Sequence, residues 1–119
     1  MATTLTAIVN ATMRADASTF SITPVTQSLT VNDLFMADRV TVTEASAVTL
    51  ELGAVTTPRY GYFHNADDTN YLEVRNDAAV LAKLKAGEAC FIPLGSTVTL
   101  KAQADTADCE MDYALWEDA

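Results

Sequence analysis

Residues 60–75 read Y-G-Y-F-H-N-A-D-D-T-N-Y-L-E-V-R. Two short runs of aromatic and β-branched residues, Tyr60–Asn65 and Tyr71–Arg75, flank A-D-D-T-N, a connection rich in the turn-favouring residues Asp and Asn. A run of this length, bounded by turn residues and too short for a helix, is a strand, and the pair reads as a hairpin.

The same grammar extends in both directions. Downstream, Asn76-Asp77 turns into Ala79–Leu84, Lys85-Ala86-Gly87 leads into Glu88–Leu94, and Gly95-Ser96 into Thr97–Ala104. Asp105–Asp108 is the final turn before Cys109–Trp116. Upstream, Val40 and Val42 alternate with polar neighbours, Glu44-Ala45-Ser46 turns, and Val48, Leu50 and Leu52 alternate again. Period-two apolar spacing marks strands half-buried against a core. Roughly eight to ten strands at about 8–12-residue spacing predict an all-β, single-domain antiparallel β-sandwich of jelly-roll-like character. The expected core is Val40, Val42, Val48, Leu50, Phe63, Leu72, Val74, Leu84, Phe91, Ile92, Leu100 and Leu115. Phe91 and Ile92 are neighbours, so only one of them faces that core unless a bulge intervenes.

The first 31 residues differ. Between Met1 and Val31 the only charged side chains are Arg14 and Asp16. Strands are expected about Thr3–Met13 and Ser18–Val31, with Arg14–Ala17 as the turn. Pro24 lacks an N–H, so the second strand must be an edge or break there. The chain thus divides into a strand or arm segment, 1–31, and a sandwich, 32–119. An uncharged β-prone edge invites pairing with another chain, which makes Leu5, Ile8, Phe20 and Ile22 the candidate interface residues; an ordinary first hairpin of the sandwich is the alternative. Asn32–Asp38 hints at one helical turn, with Asn32 or Asp33 as its cap.

At 119 residues, half of them apolar, the chain can bury a core without metal or disulfide. Its formal net charge is −9, and its seven basic residues are scattered singly. Nucleic-acid binding, which needs clustered Lys and Arg, is not expected. No apolar run approaches a membrane span, and the N-terminus lacks the features of a secretory signal. Cys90 and Cys109 lie in strand-like segments outside any C-x-x-C spacing and read as small buried hydrophobes; whether they pair is open at this point.

Catalytic constellations fail on inspection. His64 is the only histidine, too few for a cupin-like or zincin-like metal site. There is no G-x-S-x-G elbow, and Cys90, between Ala89 and Phe91, suits burial better than reactivity with His64. Asp67, Asp68 and Asn70 crowd one loop without the spacing of an EF-hand, so Asx turns are expected there and no cation. Asp105, Asp108, Glu110, Asp112, Glu117 and Asp118 alternate with Cys109, Met111, Tyr113 and Leu115, an acidic outward face rather than a converging site. No glycine-rich phosphate loop exists. The chain is expected to be no enzyme, with no catalytic residue, metal or cofactor. Tyr60, Tyr62, Tyr71 and Trp116 could instead form a sugar-stacking platform.

Thr57-Pro58, Tyr62-Phe63, the N-x-D-x-T-N-Y pattern from Asn65 to Tyr71, L-K-x-G-E-x-x-x-x-P-L from Leu84 to Leu94, and A-D-T-A from Ala104 to Ala107 occur in an order and spacing that resemble a family of small structural proteins of tailed-phage virions. The resemblance covers about half the chain; Asn65-Ala66-Asp67-Asp68 departs from the commoner N-L-D-A, and residues 1–31 match nothing in it. It implies a virion component assembled in the host cytoplasm. The expected role is a capsid decoration (cement) protein that binds the major capsid protein and itself, as a homotrimer at a local three-fold of the shell. The alternatives are a tail, neck or collar subunit or head-fibre base and, outside the virion, a carbohydrate-binding module.

Overall fold

A computed structural model of the chain describes residues 2–15, 18–95 and 98–118, and the side chains of 4–8, 26–31, 33–95 and 98–118 among them. Nine strands are described: β1 (Ala2–Ala15), β2 (Ser18–Val42), β3 (Val48–Thr49), β4 (Pro58–Asn65), β5 (Leu72–Asn76), β6 (Ala79–Leu84), β7 (Ala89–Pro93), β8 (Leu100–Ala104) and β9 (Cys109–Asp118). They form two sheets of order β1-β2-β9-β4-β7 and β3-β8-β5-β6, and every pairing is antiparallel.

From β2 onward the chain alternates between the two sheets except at β5–β6, which is the connectivity of an eight-stranded jelly roll. The β-sandwich read from the sequence is the observed fold, with β1 added as a ninth strand beside β2.

Alternation decides what lies between the sheets. In β9, Cys109, Met111, Tyr113 and Leu115 are buried while Glu110, Asp112, Ala114 and Trp116 face away. In β8, Leu100, Ala102 and Ala104 face inward, and in β5 Leu72 and Val74 do. These meet Val42, Leu50, Val55, Phe63, Leu84 and Leu94 in one continuous core. Eight of the twelve expected core residues are buried there; Val40 and Ile92 pack against it, and Val48 and Phe91 are half-buried. Ile92 and Phe91 divide as expected, Ile92 toward the core and Phe91 to the other face, with no bulge in the β4–β7 ladder.

Gly61 is required by the core beside it. A Cβ at that position would lie 2.7 Å from the Phe63 ring, which packs back across the glycine. Asn65, fully buried, clamps one end of the sandwich: its Nδ2 donates to the carbonyls of Asn70 and Leu84, and its Oδ1 accepts from the Asp67 N–H.

Three sequence expectations are corrected. Asn32–Asp38 is not a helical turn but part of β2, which runs unbroken through it. Between Val31 and Phe35 the strand carries extra residues: 32–34 lie opposite Glu117 alone. The polar N-D pair that suggested a cap instead occupies this bulge, because pairing with β9 on both sides holds the backbone extended. A-D-D-T-N does not close a hairpin either, since β4 and β5 belong to different sheets; turn residues fix a reversal of direction, not the sheet that receives the next strand.

Glu117 is the third. It points inward, with 7% of its surface exposed, and accepts hydrogen bonds from the Thr56 and Thr57 N–H groups and the Thr56 hydroxyl. Burial opposes its ionisation, but those donors from Thr57 and Thr56 outweigh it and hold the carboxyl below the ordinary carboxylate range.

Pro24 does not break its strand, since β2 runs through it; it disturbs the ladder with β1 instead. On either side of it Val9 pairs with Val25 and Ala11 with Ile22, so Thr23 and Pro24 oppose Asn10 alone in a bulge. The turn expected at Arg14–Ala17 includes Asp16 and Ala17, which lie outside the described residues.

Candidate functional site

The outer face of the five-stranded sheet is the most distinctive surface of the molecule. Cross-strand partners share a face, so the register assembles it row by row. Phe35 pairs with Trp116 and Trp116 with Tyr60; Ala37 pairs with Ala114, Ala114 with Tyr62 and Tyr62 with Phe91. Four strands thus bring five aromatic rings to one end of one face.

The rings pack on each other. Tyr60 and Phe91 stack at 5.7 Å between centroids with 13° between planes, and Phe91 meets Trp116 at 6.1 Å in a tilted contact. The Arg59 guanidinium lies 4.7 Å from the Tyr60 centroid. Phe35 stands 62% exposed at the margin of this cluster.

The other end of the same face is charged. Arg39 Nε and Nη2 donate to the two carboxylate oxygens of Asp112 at 2.6 and 3.0 Å, His64 Nδ1 is 3.5 Å from Asp112, and the Thr41 hydroxyl donates to Glu110. The guanidinium of Arg39 holds the Asp112 carboxyl below the ordinary range.

Over the aromatic end lies β1. Two open clefts separate it from the face. One, of about 440 Å³, is lined by Leu5–Ile8 of β1 together with Tyr62, Ala89, Cys90, Phe91 and Trp116. The second, of about 380 Å³, runs from Thr4 and Leu5 across Val31, Phe35 and Ala37 to Ala114 and Trp116, with Asp33 its one charged lining residue. β1 therefore roofs the aromatic face without filling the space beneath it, and Ile8 remains 67% exposed. Apolar side chains dominate this surface, and Asp33 and Cys90 are the one carboxylate and the one thiol among its lining residues.

Of the four candidate interface residues, Leu5 and Ile8 lie at these clefts. The side chains of Phe20 and Ile22 are outside the described residues. Of the aromatic floor opposite them, Tyr60, Tyr62 and Trp116 were candidates for a sugar-stacking platform, whereas Phe35 and Phe91 escaped the sequence reading as surface residues. The floor's signal was available in retrospect: Ala114 and Trp116 carry apolar side chains on the outward positions of β9, the same positions that carry Glu110 and Asp112 four residues earlier.

The remaining candidates are dispersed. Cys90 pairs with Phe63 and faces the core side, whereas His64, next along β4, faces outward, so the two cannot act together; burial pushes the Cys90 thiol up, away from reactivity. Cys90 and Cys109 are free, with β4 between their strands, and too far apart to bridge. Asp67 accepts from the Asn70 and Thr69 N–H groups, an Asx turn whose donors hold its carboxyl low. Among the described residues no three of His, Cys, Asp and Glu gather as a metal site. Tyr60, Tyr62 and Trp116 do share a surface, but Tyr71 belongs to the opposite sheet's side, under Lys83. Tyr60 is buried and already engaged by Phe91 and Arg59, so its ring is not presented to a sugar.

Comparison with protein-family models, with characterised proteins and with solved structures finds no match to this chain.

Proposed function

We propose that the chain is a non-enzymatic structural subunit of a tailed-phage virion, a capsid decoration (cement) protein that stabilises the head shell by binding the major capsid protein and copies of itself as a homotrimer. The observation that carries this reading is the contact surface just described: an aromatic face roofed by a nearly uncharged hairpin, on a chain of net charge −9. Apolar contact surfaces on otherwise acidic proteins serve association, and charge over the rest keeps free copies apart. The sequence resemblance to small virion proteins supplies the context. The fold alone does not, since jelly rolls serve capsids and lectins alike.

Stabilisation by such a protein is collective. Each copy bridges neighbouring shell subunits through modest buried area, and a closed three-fold assembly matches local three-fold positions of a shell. The test is copy number in purified virions. Hundreds per particle are expected for a decoration protein, whereas about six or twelve would assign the chain to the tail or neck.

A further inference from the structure

We infer that the clefts between β1 and the aromatic face are the self-association site of this protein, and that a second copy of this chain, presenting its own β1–β2 hairpin, is their occupant. The inference deepens the reading above and rests on its assembly part.

Charge argues for self-recognition. Two chains of net charge −9 repel wherever their ordinary surfaces approach. They meet most readily through patches that carry almost no charge, and two such patches stand out. One is the cleft lining, where Asp33 is the single charged residue. The other is the hairpin, in which Arg14 and Asp16 are the only charged residues between Ala2 and Thr30. A basic partner would call for carboxylates around the clefts, and these cluster instead at the other end of the sheet, at Glu110 and Asp112.

Size argues the same way. The hairpin has roughly 27 residues, and since alternate side chains point to opposite faces one face presents about half of them, a large share of the roughly 20–30 a side of a standard interface. The clefts together enclose volume for several apolar side chains. Because the hairpin and the aromatic floor of the clefts are different surfaces of one chain, a hairpin of one copy seated on the floor of the next makes a head-to-tail contact, which closes into a ring when the rotation allows. The free outer edge of β7, the strand that carries Ala89, Cys90 and Phe91, lies beside the larger cleft and can take an added strand.

The test is sedimentation velocity on the full chain over a micromolar concentration series, with three substitutions at exposed positions. Wild type should sediment as a multiple of 12.7 kDa. Phe35→Glu, on the cleft floor, and Ile8→Glu, on the hairpin, should each weaken self-association by on the order of 100-fold, because a carboxylate would be buried at the contact. Val80→Glu, 52% exposed on β6 of the opposite sheet, should leave it unchanged. Far-UV circular dichroism and thermal melts check folding; should Phe35→Glu lower the melt, Phe35→Ser replaces it. Added salt should strengthen association by screening repulsion. A wild type that stays monomeric, a Val80→Glu effect as large as the others, or association untouched by both cleft variants overturns the inference. A chain that self-associates this way yet leaves shells undecorated removes the capsid reading and keeps this one. A monomer that decorates shells does the reverse.

Discussion

The two sheets bury similar inner faces and differ on their outer ones. Across β5 and β8, the outer face of the four-stranded sheet carries Glu73, Arg75, Lys101 and Gln103, tied by Arg75 to Glu73 at 2.6 Å, Arg75 to Gln103 at 2.9 Å and Lys101 to Asp77 at 3.2 Å. Across these two strands that is a hydrated surface, although Val80, opposite Arg75 on β6, is exposed beside it. At the corresponding place on the five-stranded sheet stand Phe35, Trp116, Tyr60, Tyr62 and Phe91. Tyr60, Phe91 and Trp116 pack on one another, whereas Phe35 and Tyr62 stay 62% and 38% exposed. The contrast teaches that the two outer faces solve different problems: one is held by ion pairs in water, the other leaves aromatic surface uncovered.

The strongest way to break the comparison is to remove what both faces stand on. Phe63→Ala should cost about 3–5 kcal/mol, read as a shift in the denaturant midpoint, and both sheets should lose protection together. Next is Asn65→Ala, which strips three hydrogen bonds from a buried clamp. It should cost about 2–4 kcal/mol, with hydrogen exchange rising first at the 65–70 and 84–88 loops. A loss confined to one sheet would mean the two are less coupled than the core implies.

Acid sharpens the comparison further. The folded state holds Glu117 below its unfolded pKa of about 4.3. Its contribution is therefore complete above that value and disappears as pH falls through the lower folded value. Asp67 and Asp112 shift in the same direction. Thermal melts should fall as pH drops below about 4, and Glu117→Gln should lose about 1–3 kcal/mol at neutral pH while flattening that acid slope. The smallest effect is expected on the hydrated face. Arg75→Ala should change stability by at most about 1 kcal/mol, and should leave self-association as it is.

Legibility in the sequence followed the range of the interaction. Strand positions were readable because alternation is local; Cys109–Trp116 was recovered almost whole, and Pro24 announced its own bulge by lacking a donor. Sheet membership was not readable. The A-D-D-T-N turn has the composition of a hairpin, yet β4 and β5 part company, because the partner of each is chosen by strands far away in the chain. Asn32–Asp38 misled for the opposite reason: a local capping preference lost to pairing with β9. Glu117 keeps the inward parity of Cys109 to Leu115 and was misread as outward on its charge alone; Thr56 and Thr57, about sixty positions earlier, supply the donors that let a carboxylate occupy that position.

The candidate site was half legible. Leu5 and Ile8 stood out because charge is missing around them. Phe35 and Phe91 did not, since an aromatic residue in a strand looks the same whether it faces the core or the outside, and only the register reveals which.

β2 carries one further consequence. It is a single 25-residue strand, paired with β1 along its first half and with β9 along its second. A pull on the hairpin along its length is therefore delivered straight into the ladder between Phe35–Val42 and Cys109–Trp116. There the load runs parallel to the strands and is shared by the whole row of hydrogen bonds, instead of opening them one after another. The hairpin is a handle fixed to the body by a joint loaded in shear, mechanically the stiffest way a β-sheet can hold on to anything.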